Sequence, residues 1–117
     1  MTHPEMVRRL VQDPDKILDR LTPERVDYMH ACLGIVTEAG ELADACKKVI
    51  IYQQNVDYEN LMEELGDLEF YMEQLRQCFG ISREETLARN VDKLAKRYPG
   101  LEYSNEAAKA RRDKVTA

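Results

Sequence analysis

Apolar residues recur every three or four positions along most of the chain, the spacing that places side chains on one face of an α-helix. Within residues 23–52, Val26, Met29, Leu33 and Val36 begin such a series, and further apolar residues widen it to more than half of the helix circumference. A helix with so wide an apolar face is buried on two sides. The pattern therefore predicts a long helix that contacts both its own chain and a second subunit.

A second long helix is predicted at residues 58–79, after a polar turn at 53–57. Its apolar residues alternate spacings of four and three, beginning with Leu61, Leu65 and Leu68. Capping signals place further helix starts after Asp13, Thr22, Ser82 and Ser104. Because strand-like alternation is absent from the sequence and the loops are short, the predicted fold class is all-α, an antiparallel helical bundle completed by dimerisation.

Length and composition fit one globular domain over residues 1–117, with 44% hydrophobic and 33% charged residues. We expect a short lead-in at 1–22, a stop at Pro99-Gly100, a last helix at 105–114 and a frayed charged tail at 113–117. The three cysteines are widely spaced, the longest apolar run is far shorter than the roughly 20 residues of a membrane span, and the N-terminus lacks a signal-peptide pattern. The expected location is therefore cytoplasmic, without membrane contact. A net charge of −5 argues against a nucleic acid polymer as partner.

Two short acidic pairs stand on the two long predicted helices. Glu38 and Glu41 form the first pair, and Glu64 and Asp67 form the second. A spacing of three residues places both carboxylates of a pair on one helical face, and an antiparallel turn would bring the pairs together. At about 4 Å and an effective dielectric constant near 20, each like-charge pair costs about 4 kcal/mol. The cluster must therefore protonate, splay into water or bind cations.

An all-oxygen ligand set suits Mg²⁺, with Mn²⁺ as a substitute, better than zinc or copper. Di-iron bundles use a His three residues after a Glu, and neither His3 nor His30 stands at that spacing. The alternative is that both acidic pairs are solvated helix surface. Two pairs beside apolar seams, followed by a polar and basic stripe at Asn90, Lys93 and Arg97, favour the metal site, although that stripe could itself be a solvated face.

Six segments of the chain occur in an order typical of one protein family. They are His30-Ala-Cys-Leu-Gly34, Glu38-Ala-Gly-Glu41-Leu-Ala43, Lys47-Lys48, Glu63-Glu-Leu-Gly-Asp67, Asn90-Val-Asp-Lys93-Leu94 and Lys96-Arg97-Tyr-Pro99. Over residues 26–112 the chain resembles the MazG-like nucleoside triphosphate pyrophosphohydrolases, an all-α superfamily that includes the dimeric dUTPases. One departure is Glu73, which stands where many relatives carry a more apolar helix.

The resemblance implies cleavage of a nucleoside or deoxynucleoside triphosphate between the α and β phosphates, and assembly as a dimer or a dimer of dimers. Four residues are implied to be catalytic and to hold two or three Mg²⁺ ions: Glu38, Glu41, Glu64 and Asp67. Glu38 is the implied acceptor of the proton from a metal-bound water. Five residues are implied to bind the substrate: Asn90, Lys93, Arg97, Lys48 and His30. For His30, packing in the core is the competing role.

Two other functions stay open at this point. One is a non-catalytic helical interaction module on the same fold, although the presence of all four carboxylates speaks against lost catalysis. The other is a pyrophosphohydrolase of the phosphoribosyl-ATP type. The expected role is control or sanitation of the nucleotide pool, with the base and the sugar of the substrate undetermined.

Overall fold

The computed structural model describes residues 1–114, and all regular secondary structure in that range is helical. The helices are α1 His3–Leu10, α2 Pro14–Asp19, α3 Pro23–Ile50, α4 Tyr58–Cys78, α5 Arg83–Arg97 and α6 Asn105–Ala110, with 3₁₀ turns at Pro99–Leu101 and Arg112–Lys114. The predicted all-α class is confirmed, while the last three residues of the predicted tail lie outside the described range. Within that range, none of the helices is both long and apolar enough to cross a membrane.

The helices begin where side chains can satisfy the first free backbone N–H groups. The side chain accepts a hydrogen bond from the following turn at each of the four predicted caps, Asp13, Thr22, Ser82 and Ser104. The helix α1 was not predicted. Its signal is a capping box, in which the Thr2 hydroxyl accepts from the Glu5 N–H at 3.3 Å and the Glu5 carboxylate accepts from the Thr2 N–H at 3.0 Å.

The predicted last helix at 105–114 is wrong in its extent. It ends at Ala110 because Arg111 adopts a left-handed conformation with φ of 48°, and a separate 3₁₀ turn follows. The predicted stop after α5 is confirmed, since Gly100 has φ of 76°, a region that glycine enters without strain.

The chain divides into two compact units, Met1–Cys78 and the residues from Phe79 onward. In the first unit α3 and α4 pack along each other. They are antiparallel, because Asp27 near the start of α3 bonds to Gln74 near the end of α4, whereas Glu38 further along α3 lies near Glu64. The single domain over residues 1–117 stays a prediction.

The interface between α3 and α4 is narrow. Ala31 is fully buried there, but Val26, Met29, Leu33 and Val36 on α3 are 43–69% exposed. Helix pairs of this kind are stabilised mainly by burial of an apolar face, and this face is open in the single chain. The second subunit that we expect to cover it stays a prediction.

In the second unit, an ion pair joins the end of α5 to the turn after α6. Arg97 at the end of α5 donates from Nε to Asp113 Oδ1 at 2.8 Å and from Nη2 to Oδ2 at 3.2 Å. The Asp113 side chain is only 4% exposed. Ala107 of α6, which is close to it in sequence, is also buried. Two parallel charge-assisted bonds fix the 3₁₀ turn after α6 to the end of α5.

Candidate metal centre

Three of the four predicted ligands come together between α3 and α4. Each of Glu38, Glu64 and Asp67 contributes one carboxylate oxygen, and these three oxygens lie within 4.8 Å of one another. Glu38 and Glu64 are half-buried and Asp67 is exposed, so the group opens to solvent on one side. The spacing of three residues on α4 and the antiparallel packing of α3 produce this arrangement.

One carboxylate oxygen of this cluster has no hydrogen-bond partner. Glu64 Oε2 is shielded from solvent and has no hydrogen-bond partner. Burial raises the pKa of Glu64, and the negative charges of Glu38, Glu41 and Asp67 raise it further. A buried carboxylate oxygen without a partner is costly. A divalent cation would satisfy it and offset the like charges, so the donor set fits the metal that the sequence predicts.

Glu41 lies at the edge of this group. It is exposed and outside the set of three oxygens, although its charge still acts on Glu64. Gly40 directly precedes Glu41, and Gly66 directly precedes Asp67. A Cβ added at Gly40 or Gly66 would meet nothing within 4 Å, so both positions border open space.

Gly34 is the position where close helix contact occurs. A Cβ built there would lie 2.3 Å from Tyr71 Cδ1, so the bare backbone of α3 receives the Tyr71 ring. His30 and Phe70 meet that ring edge-on, with centroids at 5.8 and 5.2 Å. Glu38 follows Gly34 by one helical turn, and Asp67 precedes Tyr71 by one turn. This contact therefore sets the helix separation at the cluster.

His30 packs against Tyr71 while remaining exposed. The ring contact agrees with the packing role that we considered for His30, and the exposed side leaves a surface that a ligand can reach. Its predicted part in substrate binding stays a prediction.

A polar contact that the sequence did not reveal fixes the other end of the helix pair. Gln74 Nε2 donates to Asp27 Oδ1 at 2.8 Å, and Cys78 Sγ donates to Asp27 Oδ2 at 3.2 Å. The bonds from Gln74 and Cys78 lower the pKa of Asp27, while burial raises the pKa of the Cys78 thiol. None of these residues belongs to a recognisable motif, because their pairing depends on how far α4 is shifted along α3.

The predicted basic residue on the first unit is Lys48. Its Nζ lies 3.2 Å from Asp44 Oδ2, one turn earlier on α3, and both side chains are about half exposed. Exposed pairs of this kind are weak and exchange readily. Lys48 can therefore still turn to an anionic ligand.

In the second unit, α5 carries Asn90, Lys93 and Arg97 at spacings of three and four residues, which place them on one face. The bonds to Asp113 occupy Nε and Nη2 of Arg97 and raise its pKa. Nη1 lies outside this bidentate pair. The predicted contacts of the three residues with substrate stay predictions.

Comparison with known proteins agrees with this picture. The family model for the MazG nucleotide pyrophosphohydrolase domain matches residues 27–101, which include all nine predicted site residues. The Gene 37 protein of Mycobacterium phage L5 is 35% identical over 74 residues, covering 58% of this chain and 63% of the phage protein. The chain thus spans less than two thirds of that relative's length. No solved structure matches significantly. Because the matched region spans more than half of the chain, the protein belongs to the family of MazG nucleotide pyrophosphohydrolase domains.

Proposed function

We propose that the protein hydrolyses a nucleoside or deoxynucleoside triphosphate between the α and β phosphates, with Mg²⁺, and releases the monophosphate and pyrophosphate. Family membership supports nucleotide pyrophosphohydrolase activity in general. The observation that ties this activity to one place is the cluster of Glu38, Glu64 and Asp67, in which Glu64 carries a buried oxygen without a partner.

The metal-binding residues in this proposal are Glu38, Glu64 and Asp67, with Glu41 as a further ligand from the edge. Bound Mg²⁺ would neutralise phosphate oxygens and lower the pKa of a coordinated water. Glu38 takes the proton from the attacking water, since it is the half-buried carboxylate that α3 places opposite both ligands of α4.

The remaining predicted residues bind the substrate. Lys93, Arg97 and Lys48 would neutralise the triphosphate, because their charges are needed beside an acidic site. Asn90 would bond to sugar or phosphate oxygens, and His30 would contact the nucleotide from the Tyr71 side of the cluster.

The proposed setting is control or sanitation of the nucleotide pool in the cytoplasm. The proposed assembly is a dimer or a dimer of dimers, which would cover the exposed apolar residues of α3. Free nucleotides are the proposed partners, without nucleic acid polymer or membrane.

Product analysis tests the reaction. The protein is incubated with each of the eight common ribo- and deoxyribonucleoside triphosphates and Mg²⁺, and anion-exchange chromatography separates the products. Monophosphate and pyrophosphate should form without a diphosphate intermediate, and EDTA should abolish turnover. Stepwise release of orthophosphate would refute the proposed reaction.

A pair of variants on α4 tests the site. Glu64→Gln should lower kcat by at least about 100-fold, because it removes a ligand charge that the metal needs. Glu69→Gln is the matched control on another flank of the helix, where Glu69 lies 3.7 Å from Arg76, and it should stay near wild type. Equal losses in the two variants would place the site elsewhere.

A further inference from the structure

A cavity of about 460 Å³ lies beside the turn that joins α3 to α4, within the first unit. This volume falls in the range of small-molecule sites in proteins. Its lining combines an apolar wall with a group of amide side chains: Ala45, Val49 and Leu61, and Gln54, Asn55 and Asn60. Two charged side chains, Lys48 and Asp57, also belong to the lining, whereas none of the predicted ligands of the metal centre does.

The turn that forms the cavity is held by its own backbone. The Gln54 N–H donates to the Lys48 carbonyl at 3.0 Å, and Gln53 reverses the chain with φ of 55°. Asp57 Oδ1 then accepts from the Asn60 N–H at 3.0 Å and starts α4. Both walls of the cavity are therefore fixed to helix ends, which favours a preformed site.

The lining has the chemistry that recognises a nucleobase. Each amide group offers a donor and an acceptor side by side, and base edges present the same combination. Within residues 1–114, the amide groups of Gln54, Asn55 and Asn60 take part in none of the side-chain hydrogen bonds that the structure shows, so these groups are available to a ligand. The aliphatic wall gives a flat ring an apolar surface to pack against.

The position of the cavity suits the rest of the nucleotide. Asn60 precedes Glu64 by four residues and Ala45 follows Glu41 by four, which is roughly 6 Å along each helix axis. A ribose joins the base to the α phosphate over a comparable span. We infer that this cavity binds the nucleobase of the triphosphate whose phosphates lie at the carboxylates, with Asn55 and Asn60 as specificity-determining residues. This inference rests on the proposed function.

Two substitutions test it by removing hydrogen-bonding groups at similar side-chain volume. Asn60→Leu and Asn55→Leu take polar groups out of the lining, and Gln12→Leu makes the same kind of change at an exposed residue outside it. We expect either lining variant to change the ratio of kcat/KM between at least two bases by about tenfold or more, the size of one or two lost hydrogen bonds. Gln12→Leu should keep the wild-type ratios, and inhibition by pyrophosphate with Mg²⁺ should be unchanged in all three variants.

Equal losses for all eight triphosphates, or unchanged ratios, would overturn the inference while leaving the proposed reaction in place. A second measurement does not depend on turnover. Free nucleosides are titrated into ¹⁵N-labelled wild-type protein in EDTA, and the side-chain amide signals of Asn55 and Asn60 are followed by NMR. Shifts at these signals, absent in the lining variants, are expected; unaffected signals at millimolar nucleoside would overturn the inference. If wild type hydrolyses none of the triphosphates, the proposed function fails and this titration still decides the role of the cavity.

Discussion

Gly34→Ala is the sharpest test of how α3 and α4 fit together. The added methyl group would lie 2.3, 2.4 and 2.5 Å from three carbons of the Tyr71 ring. Carbon atoms in contact normally lie about 3.5–4.0 Å apart, so the ring would have to retreat by more than about 1 Å. His30 and Phe70 pack against the same ring and restrict that movement.

Two opposing effects set the magnitude. Overpacking in a well-packed contact costs about 1–3 kcal/mol, while replacing a glycine inside a helix by alanine gains about 1 kcal/mol. The net result for Gly34→Ala should be a loss of up to about 2 kcal/mol in the free energy of unfolding. Gly66→Ala is the matched control on α4, because nothing lies within 4 Å of its added Cβ. It should keep the helix gain and become more stable by up to about 1 kcal/mol.

Urea unfolding in EDTA, at one protein concentration, measures this difference without metal binding. The two alanine variants should differ by about 1–3 kcal/mol, with Gly34→Ala the less stable of the two. Combining Gly34→Ala with Tyr71→Ala should remove the clash, so the glycine substitution should cost far less in that background. A Gly34→Ala protein as stable as Gly66→Ala would refute the close contact between the helices.

Three further outcomes follow from other contacts. Arg97 holds the pKa of Asp113 below its usual range. The ion pair therefore contributes stability above the pKa of unfolded Asp113, and this stability is lost as the pH falls through the pKa of the folded state. The urea midpoints at pH 7 and pH 3 should differ less in Asp113→Asn than in wild type. Light scattering at micromolar concentration should show at least a dimer, weakened by Leu33→Glu, and a folded wild-type monomer of 13.6 kDa would contradict this. Glu64→Gln should be more stable than wild type in EDTA, by relief of like-charge repulsion, whereas Mg²⁺ should stabilise wild type more; a variant less stable in EDTA would indicate a structural salt bridge.

Sequence rules that act within a few residues predicted the helices well. Ser82, Thr22 and Asp13 start helices because an oxygen on the side chain reaches a backbone N–H two or three residues on, a relation that sequence displays directly. The same holds for the acidic pairs, whose spacing places each pair on one face. The extent of the last helix was wrong because the left-handed backbone at Arg111 has no glycine or asparagine to indicate it.

Contacts between helices were harder to predict from the sequence than the helices themselves. Helical periodicity gives the face on which a residue lies, but not how far one helix is shifted along its partner. The contacts of Tyr71 with Gly34 and of Gln74 with Asp27 depend on that shift. For the same reason, the spacing of the four acidic residues could not distinguish Glu41 from the other three, whereas the structure places Glu41 at the edge of the cluster. The bond between Arg97 and Asp113 joins residues sixteen positions apart. No local pattern indicates it, and Asp113 was predicted to belong to a frayed tail.

The charge of the chain is divided unevenly between its two units. The first unit carries 16 acidic and 8 basic side chains, and the second carries 6 acidic and 9 basic ones. The excess of negative charge in the first unit would repel an anionic ligand such as a triphosphate. Since Glu64 already bears a buried unpartnered oxygen, binding a divalent cation would both stabilise the helix pair and reduce the negative charge that the substrate meets. The proposed function therefore predicts that metal binding and substrate binding are coupled in this protein.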